Sequence, residues 1–374
     1  MKPIQAIKKI ISGLYLSLRR FPLTIILSAS IACILIIISE TNPTDDTLAK
    51  IVMMLSLGIP LSLCIKQFFE RNKNKNSFKL LTGYTLGAVV LVLYYFFLLN
   101  DLSMVEITRY IAVSLALFLA FIYTPYFPGK QRFEAYVITL FAGFFTTILY
   151  SAVLYSGLSA ILFAVDKLLG VTIQAEVYYY TFIFVVFLFA VSYFLAGIPL
   201  RSDELSEKLY PKLLKILLLY IVIPLISAYT LILYIYFAKI IITWQWPVNI
   251  VTNLVLWYAV ITIIVAFFIT PIIAENKWAA SFLKFFPKII LPILIMMFIS
   301  ISIRINAYGV TERRYFVTVL ALWVFAVMLY LSLTKKLRNI VIPVSLSFIT
   351  LISVFGPLSS YSVSIRSQNK RFQL

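Results

Sequence analysis

Three arginines and two tyrosines crowd the stretch Arg304-Ile305-Asn306-Ala307-Tyr308-Gly309-Val310-Thr311-Glu312-Arg313-Arg314-Tyr315. A guanidinium presents a planar fork of donors that matches phosphate or carboxylate oxygens in pairs. Gly309 permits the sharp backbone of a turn. Tyr308 and Tyr315 are suited to border a lipid head group at the membrane–water interface. The chemistry open to this set is anion recognition, with Arg304, Tyr308, Thr311, Glu312, Arg313, Arg314 and Tyr315 as binding residues and no catalytic residue among them. A plainer reading stands beside it: a helix start, with Thr311 at the N-cap, Glu312 to Arg314 in the first turn, and Glu312 paired with one arginine.

Other groups signal less. Arg366, Lys370 and Arg371 follow Ser362 and Ser364 at the C-terminal end; they enlarge a basic rim or act as an interfacial anchor. Trp244-Gln245-Trp246-Pro247 fits an aromatic belt better than a ligand site. Tyr220, Tyr229, Tyr234 and Tyr236 share one apolar run with Pro224, a combination that lines cavities in some membrane proteins and is also common without that role. Gly83 and Gly87 have a helix-packing spacing. Asp45 and Asp46 occupy a short loop, a position suited to a lipid-dependent transferase, although the loop is too small for a full acceptor site.

The missing residue types exclude whole classes of chemistry. The chain has no histidine, so histidine triads, histidine metal sites and histidine proton relays are absent. Cys33 and Cys64 both fall inside apolar runs and read as packing residues. No phosphate-binding loop, nucleophile elbow or zinc pattern occurs, and no cofactor or metal is implied. Lys66 and Lys239 sit near the ends of apolar runs, where long side chains snorkel. No run carries a central Asp, Glu or Arg, which counts against ion-coupled transport.

The elements that must position these residues are set by composition. Of 374 residues, 62% are hydrophobic and 12% charged, beyond what one soluble core hides. Eleven apolar runs are each long enough to approach a bilayer crossing: Phe21–Ser39, Leu48–Phe69, Leu80–Leu99, Ile107–Tyr126, Ala135–Val165, Val177–Pro199, Ile216–Ile240, Leu254–Ile273, Ile289–Ile303, Tyr315–Leu333 and Ile340–Tyr361. The fifth exceeds one straight span, and the ninth is short and interrupted by Pro292. The expected fold is an all-α, polytopic integral membrane bundle of about 11 transmembrane helices. Net charge is +18, but the basic residues lie in short loops, the pattern of membrane topology rather than of nucleic-acid binding. With the N-terminus in the cytoplasm, most of the 32 Lys and Arg fall on that side. Arg71, Lys73, Lys75 and Lys79 crowd one such loop, while Asp45 and Asp46 lie opposite. The Arg304–Tyr315 turn then faces outward, against the bias, as does the C-terminal end.

Ile4, Ile7, Ile11, Leu14 and Leu18 recur at helical spacing with Lys2, Lys8, Lys9, Arg19 and Arg20 and no acid, which predicts an amphipathic helix on the anionic inner leaflet. The apolar run after it continues past any cleavage box, including Ser30-Ile31-Ala32-Cys33, so it reads as a retained span. The expected organisation is a leader over 1–20, a membrane domain over 21–361, and a polar basic tail over 362–374 that resembles the start of a further extracytoplasmic region.

Four stretches carry a resemblance to a known family: Leu219-Tyr220-Ile221-Val222-Ile223-Pro224-Leu225, Trp244-Gln245-Trp246-Pro247, Arg304 to Phe316, and Ser362-Val363-Ser364-Ile365-Arg366-Ser367-Gln368. Together they are similar to the bacterial domain-of-unknown-function family 4153, closely over the second half of the chain and by layout over the first. The resemblance implies a multi-pass protein of the bacterial cytoplasmic membrane, and implies that related chains continue beyond the Ser-Arg-Ser-Gln segment. It carries no activity with it. The functional expectation is binding or translocation of an anionic amphiphile, a lipid head group or envelope precursor, at the outward basic site. The alternatives are a membrane-embedded lipid-dependent transferase and a scaffold for an extracytoplasmic partner.

Overall fold

The computed structural model describes residues 13, 15–41, 43–71, 77–127, 133–199, 210–244, 250–334 and 337–372. No strand occurs among them. The helices are α1 (Pro22–Thr41), α2 (Thr47–Arg71), α3 (Ser77–Leu98), α4 (Met104–Tyr123), α5 (Phe133–Leu169), α6 (Ala175–Ala196), α7 (Lys212–Thr243), α8 (Ile250–Ile269), α9 (Lys277–Tyr308), α10 (Glu312–Leu333), α11 (Val341–Val354) and α12 (Ser360–Phe372). Ten of these, all but α11 and α12, are long and apolar enough to cross a membrane. The protein is an all-α polytopic bundle, as the composition requires.

Three expectations change in detail. The run Ile289–Ile303 belongs to a continuous helix, α9, of 32 residues that contains both Pro287 and Pro292. At 1.5 Å per residue it is about 48 Å long, so it is a full crossing rather than a short one. The fifth run forms a 37-residue helix, about 55 Å long. The eleventh run does not form one continuous helix. Gly356 takes a positive φ of 76° and Pro357 lacks an N–H, so α11 stops after 14 residues. Ser360 onward starts α12 instead, which covers most of the expected tail.

The chain divides into two compact units, Met1–Pro125 with Tyr136–Glu204, and Tyr126–Ala135 with Leu205–Leu374. In the first, α2 is the hub, packed on α1, α3 and α4. Gly83 and Gly87 let α3 approach it: a Cβ at Gly83 would lie 2.8 Å from Phe69 Cε2, and one at Gly87 2.9 Å from Ile65 Cδ1. The small-residue spacing is thus a packing face. Leu57, Tyr94 and Leu99 form a buried cluster. Inside the unit several polar groups pair with protein partners, as hydrocarbon surroundings favour. Thr24 and Ser62 hydroxyls lie 2.8 Å apart, and Ser28 donates to the Phe187 carbonyl at 2.6 Å, within a π turn of α6 over Val185–Ala190. Wide turns of this kind loosen the i→i−4 ladder.

In the second unit α8 is the buried centre. Val255, Ala259 and Ile269 are fully enclosed, and α9 and α10 pack on it and on each other. Upstream of Pro224, α7 widens into a π turn over Leu217–Val222. Asn276 caps α9, accepting from Trp278 N at 2.9 Å and Ala279 N at 3.1 Å.

Candidate functional site: a basic junction between helices

Arg304 and Tyr308 are four residues apart, so they share one face of the last turns of α9. The helix ends at Gly309, whose φ of 72° and ψ of 177° belong to a region open almost only to glycine. That reversal lets Arg314, in the first turn of α10, reach back. Its Nη1 donates to the Gly309 carbonyl at 2.9 Å and to the Tyr308 carbonyl at 3.3 Å. Its guanidinium also lies 5.4 Å from the centre of the Tyr308 ring, within cation–π range. Arg314 therefore satisfies carbonyls that the end of α9 leaves open. Arg304 is near enough for its charge and that of Arg314 to act on each other. Arg313, one residue along and so turned about 100° away, is exposed and makes no hydrogen bond or ion pair among the described residues.

The plainer reading holds for the backbone and not for the side chains. Thr311 occupies the N-cap position, and its carbonyl accepts from Tyr315 N at 2.8 Å. Its side chain makes no capping bond. Glu312 forms no ion pair among the described residues; its place in the first turn favours it through the helix dipole alone. The Tyr315 hydroxyl donates to the Leu358 carbonyl, which ties α10 to the corner between α11 and α12.

The tail helix completes the junction. Ser364, Ser367 and Gln368 form one stripe of α12, at i, i+3 and i+4. Ser367 Oγ accepts from Val310 N at 2.9 Å, and the Val310 carbonyl accepts from Ser364 Oγ at 3.4 Å and Gln368 Nε2 at 3.3 Å. Both backbone groups of the turn residue Val310 are thus held by α12. Arg366 and Lys370 are exposed on the same helix. The Arg371 side chain lies outside the described residues. The two segments singled out separately in the sequence thus touch through Val310.

The remaining sequence signals do not join this site. Trp244 is exposed and ends α7 in the left-handed conformation, φ 55°; Gln245, Trp246 and Pro247 lie outside the described residues. Of the α7 tyrosines, Tyr229 and Tyr234 both lie near Tyr258 of α8. Tyr220 is exposed, Tyr229 packs on the Tyr258 ring at 5.2 Å, and Tyr234 donates to the Ile289 carbonyl at 2.6 Å. Asp45 accepts from Thr47 Oγ1 at 2.7 Å, a local bond at the start of α2. Of the leader, Ile4, Ile7, Ile11, Leu14, Lys2, Lys8 and Lys9 lie outside the described residues, as do Lys73 and Lys75. Arg20 is engaged within the unit. It pairs with Glu70 at 2.8 Å and donates to the Ile198 carbonyl at 2.7 Å. Sequence reasoning missed that pair, because only placed helices bring residues 50 apart together. It also passed over Arg109 in the second turn of α4, whose Nε is buried without a partner, as is the Tyr94 hydroxyl. No group of three or more His, Cys, Asp or Glu able to hold a metal occurs among the described residues.

The fold and this junction define a class: an all-α, multi-pass membrane protein with a basic, aromatic-bordered helix junction. The chain belongs to the family described as Domain of unknown function (DUF4153), which matches residues 25–373. The match takes in the first half of the chain as fully as the second. The chain is also similar to the uncharacterized protein PM1469 of Pasteurella multocida (strain Pm70), with 24% identity over 159 residues, 42% of this chain. The match spans only 27% of that relative's length. No solved structure matches the chain.

Proposed function

We propose that this is a bacterial cytoplasmic-membrane protein that binds an anionic amphiphile, a lipid head group or an envelope precursor, at the outward end of the α9–α10 junction. The observation that carries the reading is the charge balance of the surface. Arg313 is exposed on the turn, Arg366 and Lys370 are exposed on the helix docked against it, and none of the three, nor Glu312, forms an ion pair among the described residues. Unneutralised cations at a membrane interface attract phosphate head groups, and an exposed guanidinium such as that of Arg313 keeps its donor fork open. Arg314 adds charge while its donors hold the turn. The family's bacterial relative supports the bacterial membrane, and the positive-inside bias supports the outward orientation.

Binding is favoured over passage, because Tyr220 is exposed while Tyr229 packs on the Tyr258 ring and Tyr234 is bonded to the Ile289 carbonyl. The transferase alternative through Asp45 or Asp46 gains nothing from geometry, since Asp45 is engaged with Thr47.

The test compares phosphatidylglycerol with zwitterionic phosphatidylcholine binding to the detergent-purified chain. Arg313→Ala combined with Arg366→Ala should weaken phosphatidylglycerol by at least about tenfold, roughly the loss of one hydrogen bond to a charged group. Equal affinity for both lipids, or unchanged affinity in the variant, would overturn the proposal.

A further inference from the structure

In the first unit, α1, α5 and α6 enclose an open groove of about 470 Å³ with an almost wholly apolar lining, including Ile36, Leu158, Ile161, Leu162, Tyr180 and Phe184. Two ring pairs, Tyr155–Phe182 at 5.5 Å and Tyr150–Tyr193 at 5.3 Å, join α5 to α6. All three helices are long and apolar enough to span the bilayer. A groove opening from such helices meets hydrocarbon, not water. A chain seated in a shallow groove gains more dispersion contact than one lying on a convex helix face.

One end of the groove is polar, and its charge is specific. Glu40 lies one turn beyond Ile36 on α1 and accepts from the Tyr180 hydroxyl. Asp166 lies one turn beyond Leu162 on the same face of α5, 2.8 Å from Lys167 Nζ, and accepts from Ile173 N at 3.3 Å. Glu176 stands in the first turn of α6. Glu40 and Glu176 both lie near Tyr180, and the one ammonium at this end, Lys167, is engaged by Asp166 and lies over the Phe163 ring. This rim repels a net anionic head and attracts an ammonium.

We propose that the groove holds one acyl chain of a zwitterionic aminophospholipid, with its head-group ammonium at the Glu40–Asp166 rim. The site is separate from the basic junction and has the opposite head-group preference.

The full chain, purified in detergent and equilibrated with vesicles of equimolar phosphatidylethanolamine and phosphatidylglycerol bearing identical chains, would be examined by native mass spectrometry. The expected wild-type result is retained phosphatidylethanolamine. Ile161→Trp and Phe184→Trp, separately, should lower that adduct by about tenfold or more, as when two or more buried methylenes lose their contacts. Leu168→Trp, on an exposed position of α5 outside the lining, should leave it unchanged, and Glu40→Lys should shift retention toward phosphatidylglycerol. Circular dichroism and a single elution peak report folding for each variant. No retained phosphatidylethanolamine in the wild type, or retention unaffected by both folded tryptophan variants, would overturn the proposal. Loss of phosphatidylglycerol binding in Arg313→Ala would bear only on the other site.

Discussion

Replacing Arg314 and Arg313 by alanine, one at a time, should separate two roles that look identical in the sequence. Arg314 makes two bonds to helix-end carbonyls, one of 2.9 Å and one of 3.3 Å, and sits over the Tyr308 ring. A hydrogen bond from a charged donor contributes about 1.5–3 kcal/mol. The longer bond is weak, and the group is half-exposed, so screening reduces the whole. Arg314→Ala should therefore cost about 1–2 kcal/mol, a factor of roughly 5–30 in the folded-to-unfolded ratio. Arg313→Ala removes an exposed side chain with no partner among the described residues and should change stability by less than about 0.5 kcal/mol. Titration of purified protein with a denaturing detergent, followed by circular dichroism, gives both values. Equal stability of the two variants, or a greater loss at Arg313, would refute the assignment of Arg314 to the helix end.

Gly309→Ala forces a side chain into a conformation that costs about 1–3 kcal/mol outside glycine; the same unfolding titration should show that loss, together with weakened phosphatidylglycerol binding as Arg314 and Val310 shift. Gly83→Val overpacks the α2–α3 face against Phe69 and should destabilise by about 1–3 kcal/mol, whereas a conservative change at exposed Leu86 on the same helix should not. Burial pushes the Tyr210 phenol above its ordinary value of 10.0, while its hydroxyl donates to the Phe268 carbonyl at 2.9 Å. Its folded form therefore holds the proton more tightly than the unfolded form. The associated stability is fully present below pH 10 and is lost as pH rises through the higher folded value. Tyr210→Phe should remove that part of the alkaline slope in a pH series of unfolding midpoints.

Hydropathy located the crossings because hydrocarbon admits only helices whose backbone is satisfied internally. It located ends less well. A run of apolar residues does not record that Gly356 and Pro357 break the eleventh segment, nor that a helix continues past Pro287 and Pro292. Gly309 was legible as a turn, since few other residues adopt its backbone. The role of Arg314 was not, because Arg313 and Arg314 are equivalent until the phase of α10 is fixed. The docking of Ser364, Ser367 and Gln368 on Val310 was legible only as two separate family-like segments. Their contact joins residues more than 50 positions apart, and helical periodicity reports nothing at that range. The Arg20–Glu70 pair was hidden for the same reason.

The account turns on the basic junction facing outward, against the charge bias of the rest of the chain. Ala307 is exposed in the last turn of α9, beside the cluster. In a Cys33→Ala, Cys64→Ala background, Ala307→Cys would be probed on intact cells with a membrane-impermeant thiol reagent. The account predicts labelling from outside. Labelling only after lysis would place the arginines on the cytoplasmic side, where ordinary positive-inside topology explains them and the proposed site loses its basis.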